Sequence, residues 1–145
     1  MTLPILRSTL LGLLCISAAL AEPPEDAKDF MKHLKKEGYT CEKGDAFVKA
    51  THSSQLDLVL KAYKDGVLVQ SFAASNVKER EDIIDTVNKL NANATTTKFY
   101  IDGDGDTMIE AWYPGRYKKD TFTIFLEAWQ GDTKGQITAI SLLIE

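Results

Sequence analysis

The densest run of chemistry-capable side chains is Asp102-Gly103-Asp104-Gly105-Asp106, with a carboxylate at every second position. Alternating carboxylates open the calcium loop of an EF-hand, where hard oxygen ligands share one cation. With Asp102 as the first loop position, the sixth is Thr107, where the sharp bend needs glycine, and the twelfth is Tyr113, where a bidentate glutamate belongs. The match stops at its opening, and the flanking residues read as strands, not helices. Asp and Gly are also what a short chain reversal uses. Asp102, Asp104 and Asp106 are therefore candidate metal ligands, with a purely structural turn as the competing and preferred reading.

Other chemistries have fewer residues to work with. The only two imidazoles are His33 and His52. His52-Ser53-Ser54 sets a base beside hydroxyls, but serine is common in turns, and no serine lies in a nucleophile-elbow sequence. No Cys-His spacing suits zinc. The 21 acidic residues offer too many carboxylate pairs to single one out. The reading is a protein that is not an enzyme and carries no cofactor. Aromatic residues cluster near the same acidic turn, at Tyr100, Trp112, Tyr113 and Tyr117. These are candidate partner-binding residues for a peptide or protein, against the alternative that they pack in the core.

Residues 1–21 place Arg7 ahead of an apolar run from Leu10 to Leu20, and Ala19-Leu20-Ala21 stands before Glu22. This is the three-part pattern of a cleaved secretory signal, too short to be a convincing membrane span. An exported chain is expected, periplasmic or secreted, with one domain over 22–145 and no membrane span after cleavage. Removing Arg7, the only charged residue of that segment, takes the formal charge from -4 to -5. An acidic balance disfavours nucleic acid as a partner. Cys15 leaves with the signal, so Cys41 is either a small buried apolar group or a thiol that pairs between chains.

The elements that position these residues follow from periodicity. Ala27, Phe30, Met31 and Leu34 share one side of a helix over about 25–37, which Gly38 ends. His33 falls on the neighbouring face and reads as solvated. Residues 46–50, 56–63 and 67–72 read as strands, the last two joined at Lys64-Asp65-Gly66, where an Asp-Gly pair suits a tight hairpin. Asn76 and Glu79 have capping-box spacing ahead of Ile83, Ile84, Val87 and Leu90, a second helix over about 77–91. Asn93-Ala94-Thr95 fits a glycosylation sequon, a match common by chance. Residues 97–101 and 107–113 form a second hairpin. The tail, 119–144, divides between a helix carrying Phe122, Phe125, Leu126 and Trp129 behind an Asp120 N-cap, and an extra β-hairpin.

Val87-Asn88-Lys89-Leu90-Asn91, Lys98-Phe99-Tyr100-Ile101-Asp102 and Gly105-Asp106-Thr107-Met108-Ile109-Glu110 together resemble the bacterial YbjN-like domain family. Gly38-Tyr39, the hairpin over 58–72, Gly115 and Trp129 also sit where exported members would have comparable residues. Leu90 replaces a frequent Trp, and the acidic turn lacks the Pro often found after its Asp. The resemblance implies the type III secretion chaperone-like fold, an α+β order α-β-β-β-α-β-β-α with helices flanking an antiparallel sheet of about five strands. It tips the tail towards helix and implies frequent dimers, no established enzymatic activity and a loosely sensory or regulatory role. Likeness of fold to chaperones does not imply chaperone activity. The expected function is a non-catalytic, exported interaction domain holding a peptide or protein, a homodimer being one arrangement; the alternative is a periplasmic module binding a metal or small ligand at the Asp102–Asp106 turn.

Overall fold

The computed structural model describes residues 21–74 and 80–134. Residues 1–20 of the segment read as a signal, the Asn76–Glu79 capping box and residues 135–144 of the tail lie outside them. The elements are α1 (Ala27–Lys36), β1 (Thr40–Lys43), β2 (Val48–Thr51), β3 (Leu58–Tyr63), β4 (Gly66–Ala74), α2 (Arg80–Asn93), β5 (Lys98–Ile101), β6 (Thr107–Pro114) and α3 (Lys119–Lys134). The fold is α+β as expected, with six antiparallel strands in the order β1-β2-β3-β4-β6-β5. The additional strand is β1. Only Cys41 of its four residues is buried, so Thr-Cys-Glu-Lys offers no alternation to read.

The pleat sorts side chains strictly by parity. Thr107, Ile109, Ala111 and Tyr113 of β6 point inward and are buried, whereas Met108, Glu110 and Trp112 point the other way. Val48, Ala50, Leu58, Leu60, Val67, Val69 and Phe99 extend the buried face across the sheet. Phe30 and Leu34 of α1, Val87 and Leu90 of α2, and Phe122, Phe125, Leu126 and Trp129 of α3 join the same apolar cluster. All three helices thus cover one face. Phe30, Tyr113 and Phe122 meet edge to face, with ring centroids 4.9–5.5 Å apart, an arrangement aromatic quadrupoles favour.

Several details differ from the sequence reading. The tail is helical through Lys134, but Asp120 lies inside the first turn of α3 and does not cap it. At the β3–β4 reversal Tyr63 pairs directly with Gly66, so the turn residues are Lys64 and Asp65, and Lys64 takes the positive φ of 53°. Gly66 is a strand residue. Ile84 is exposed, while Val87 and Leu90 supply the buried side of α2. Cys41 is a free, buried thiol under α1, with Sγ 3.8 Å from the Met31 carbonyl.

Polar side chains fasten the helices to the loops. Asp26, before α1, accepts from the Arg116 guanidinium at 2.6 and 3.1 Å and from the Tyr117 amide at 3.0 Å. Asn91 on α2 pairs with the backbone of Phe99 on both sides, donating Nδ2–H to the carbonyl at 2.9 Å and accepting the amide at 2.8 Å. Its amide group copies a neighbouring strand and occupies the free edge of β5 at that residue. Asp132, buried on α3, accepts the amides of Thr95, Thr96 and Thr97 at 2.7–3.1 Å and the hydroxyls of Thr95 and Thr97 at 3.0 and 3.2 Å.

Burial alone would raise the Asp132 carboxyl pKa, but these donors outweigh it and hold the group below the ordinary value of 3.8. A carboxyl depressed in the folded state stabilises fully above its unfolded pKa and loses that contribution as pH falls through the folded value. Asp132→Ala, which strands three amides, should lower unfolding free energy by about 2–4 kcal/mol in urea titrations at pH 7. Asp132→Asn should remove part of the wild type's loss of stability below pH ~4.

Candidate functional site

Among the described residues the sheet face opposite the helices is a surface that the core does not use. Parity places Tyr63, Leu68, Phe72, Tyr100, Met108 and Trp112 there. Phe72 is 53% exposed, Tyr63 48% and Trp112 46%; Leu68, Tyr100 and Met108 are half-buried. Isolated exposed apolar side chains are ordinary, whereas several on one sheet face make that face the candidate surface.

A polar belt crosses the middle of this face. Lys61 Nζ donates to Gln70 Oε1 at 3.0 Å, Gln70 Nε2 donates to Glu110 Oε2 at 3.4 Å, and Lys98 pairs with Glu110 Oε1 at 3.1 Å. Lys98 also lies 4.8 Å from the centre of the Tyr100 ring. Burial first, and then the Glu110 charge, push the Tyr100 phenol pKa upwards. The belt separates an apolar patch built on Trp112, Leu68 and Tyr63 from one built on Phe72 and Met108. Leu68 pairs with Trp112 and Phe72 with Met108, so each patch is anchored by a cross-strand pair.

Trp112 owes its place to Gly66. A Cβ at Gly66 would stand 2.6 Å from the indole Nε1 and would strike the Tyr113 carbonyl oxygen. The hairpin glycine is therefore the floor on which the indole rests. Sequence reading gave Gly66 to the turn because Asp-Gly is a strong hairpin signal, and a cross-strand indole leaves no local trace.

Of the four aromatic partner candidates, Tyr100 and Trp112 lie on this open face. Tyr113 is fully buried beneath α1 and α3, so it is a core residue and not a docking one. Tyr117 sits on the helical side against Phe30, and its hydroxyl meets His33 Nδ1 at 3.0 Å. That contact corrects the solvated reading of His33. The β6–α3 loop and Phe122 cover it, and burial depresses its pKa despite the opposing Glu37 charge. Tyr63 and Phe72 were missed because β3 and β4 carry apolar residues on both faces, hiding the alternation.

The acidic turn folds around its own first carboxylate. Asp102 Oδ1 accepts the amides of Asp104 at 3.0 Å and Asp106 at 2.9 Å, and Gly105 takes a φ of 88°. Among the described residues no three His, Cys, Asp or Glu side chains converge as a metal site would require. At the other cluster the His52 ring accepts the Ser54 amide at 3.0 Å through Nδ1, while Asp57 takes the His52 backbone amide at 3.1 Å and leaves the ring alone. The contacts at His52, Ser54 and Asp57 are those that hold a turn, with the ring accepting from the backbone. Nearby, a cavity of about 260 Å³ opens between Tyr39, Gln55, Trp129 and Gln130. Burial, followed by the charges of Asp57 and Glu37, pushes the Tyr39 phenol up to about 12, so it serves as a hydrogen-bond donor, to Gln55 at 3.0 Å.

No family model and no curated protein matches the chain. A solved structure does: the crystal structure of YbjN from E. coli, described as a candidate transcription regulator, aligns over 79% of this chain and 90% of its own length. The TM-score is 0.62 and the sequence identity 11%. The fold is therefore YbjN-like.

Gly66→Ala should lower stability by about 1–3 kcal/mol, the range of an overpacked site, in thermal or denaturant unfolding. Tryptophan fluorescence should report the displaced indole, since Trp112 is half-exposed and Trp129 is buried.

Proposed function

We propose that this chain is a non-catalytic binding and regulatory domain of the YbjN-like family, and that it holds a peptide or protein partner on the open face of its sheet. The observation that carries this reading is the set of exposed and half-buried aromatic residues, Tyr63, Phe72, Tyr100 and Trp112, in two patches on a sheet face that none of the described helical residues covers, since all three helices pack on the other side. The chemistry of the face suits an extended or flat amphipathic partner. Its apolar patches supply the buried area and its Lys61-Gln70-Glu110 belt supplies polar partners that fix orientation. Trp and Tyr dominate such interfaces because a large ring buries much area while ordering few torsions. A second copy of the chain is an alternative occupant of the same face.

The leading segment supports an exported protein acting in the periplasm. Intact mass of the protein recovered from its producing cell should correspond to a chain beginning at Glu22; a mass retaining residues 1–21 would count against export by cleavage.

Peptides selected against the domain from a display library should shift the amide resonances of Tyr63, Phe72, Tyr100 and Trp112. The double variant Phe72→Ala/Trp112→Ala should keep the wild-type circular dichroism and weaken binding by about tenfold to a hundredfold, as loss of interface anchors does. Resonance shifts confined to the helical side, or unchanged affinity in the double variant, would rule the reading out.

A further inference from the structure

The helix α1 presents a second surface, unrelated to the sheet face. Lys28, Lys32, Lys35 and Lys36 follow one another at the spacings i, i+4, i+7 and i+8. At about 100° per residue these four fall within an arc of roughly 100°, on the side away from Phe30 and Leu34. All four are exposed, and Met31, half-buried, lines a shallow depression with them. Among the described residues none of the four is in an ion pair; the carboxylates of Glu25 and Asp26 at the start of α1 are held by Arg116, and Asp29 and Glu37 border the stripe along one side only. The molecule carries a formal charge of -4 in all, so setting these four lysines aside leaves -8 on everything else. The cationic stripe is therefore a local exception on an acidic protein.

From this geometry we infer that the α1 stripe binds an anionic lipid surface. The stripe spans about 12 Å of a convex helix, with no enclosed volume to select a small ligand. Lysine ammonium groups act as point charges without the fixed fork that arginine offers to one phosphate or carboxylate. A flat field of phosphodiester headgroups matches both properties, and the Met31 side chain at the edge of the stripe can enter the headgroup layer. At physiological ionic strength charges beyond about 8 Å are largely screened, so the acidic remainder of the molecule does not prevent the stripe from approaching an anionic surface. Each lysine held near an anionic leaflet contributes independently, so the attraction depends on number and steeply on salt.

The test is co-sedimentation of the full chain with vesicles of phosphatidylcholine alone or phosphatidylcholine containing about one-third phosphatidylglycerol. Binding should require phosphatidylglycerol at about 10 mM salt and vanish near 1 M, where screening reaches about 3 Å. Pure phosphatidylcholine reports any insertion of the apolar leading segment, which charge does not govern. The variant Lys28→Glu/Lys32→Glu/Lys35→Glu/Lys36→Glu should lose binding by about tenfold or more while keeping the wild-type circular dichroism at the assay temperature, since all four side chains are exposed. Control reversal of Lys64 and Lys89, exposed elsewhere, should leave binding intact. The inference is overturned if the quadruple variant binds as wild type does, if the control loses binding equally, if no phosphatidylglycerol dependence exists at low salt, or if a polyglutamate peptide is bound while vesicles are not.

Discussion

Everything in this fold depends on the register of β4 against β6. The two strands come from distant parts of the chain, yet they pair from Gly66 with Pro114 to Ala74 with Thr107, with one irregularity between Phe72 and Ala74. That register puts Tyr113 under the helices and Trp112 on the open face. A slip of one residue would exchange them, exposing the ring that organises the core and burying an indole where no space exists. Long-range pairing of this kind is entropically costly to form, so it needs strong side-chain specification. Gly66 provides part of it, because only this position admits the backbone approach of Tyr113 and the indole together.

Around that pairing the helices are held by a recurring device, a side chain that takes over the hydrogen bonding of a backbone segment. Asp26 captures the amide of Tyr117, Asn91 completes the edge of β5 at Phe99, and Asp132 gathers three successive threonine amides. Asp26 and Asp132 tie a helix to a loop remote from it in sequence, Asn91 ties α2 to the strand that follows it, and each satisfies donors that would otherwise be costly to leave unpaired near the core. The apolar cluster supplies the drive for the helices to pack, but it is not directional. These clamps set where along the sheet each helix comes to rest.

Much of the architecture was legible in the sequence because it rests on local periodicity. The amphipathic spacing of Ala27, Phe30 and Leu34 gave α1, and Phe122, Phe125, Leu126 and Trp129 supported α3. What could not be read depends on partners distant in the chain. His33 is buried by Tyr117 and Phe122, Gly66 is required by Trp112, and Asp132 matters through Thr95, Thr96 and Thr97. β1 was invisible for a different reason, since a four-residue edge strand with one buried side chain carries almost no pattern. The candidate site was half legible: Tyr100 and Trp112 were named from their types, but separating them from Tyr113 and Tyr117 needed the strand parity and the helix positions.

Cys41 lies on the first strand of the sheet, beneath α1. Burial pushes its thiol pKa up against the weaker pull of the Lys35 charge, which disfavours the thiolate, the form that attacks oxidants and disulfides. An edge position would ordinarily leave such a sulfur open to collision with another chain, and the helix closes that route. Among the described residues the fold is held without a disulfide, so packing and the side-chain clamps supply the stability that other small domains often draw from sulfur bridges.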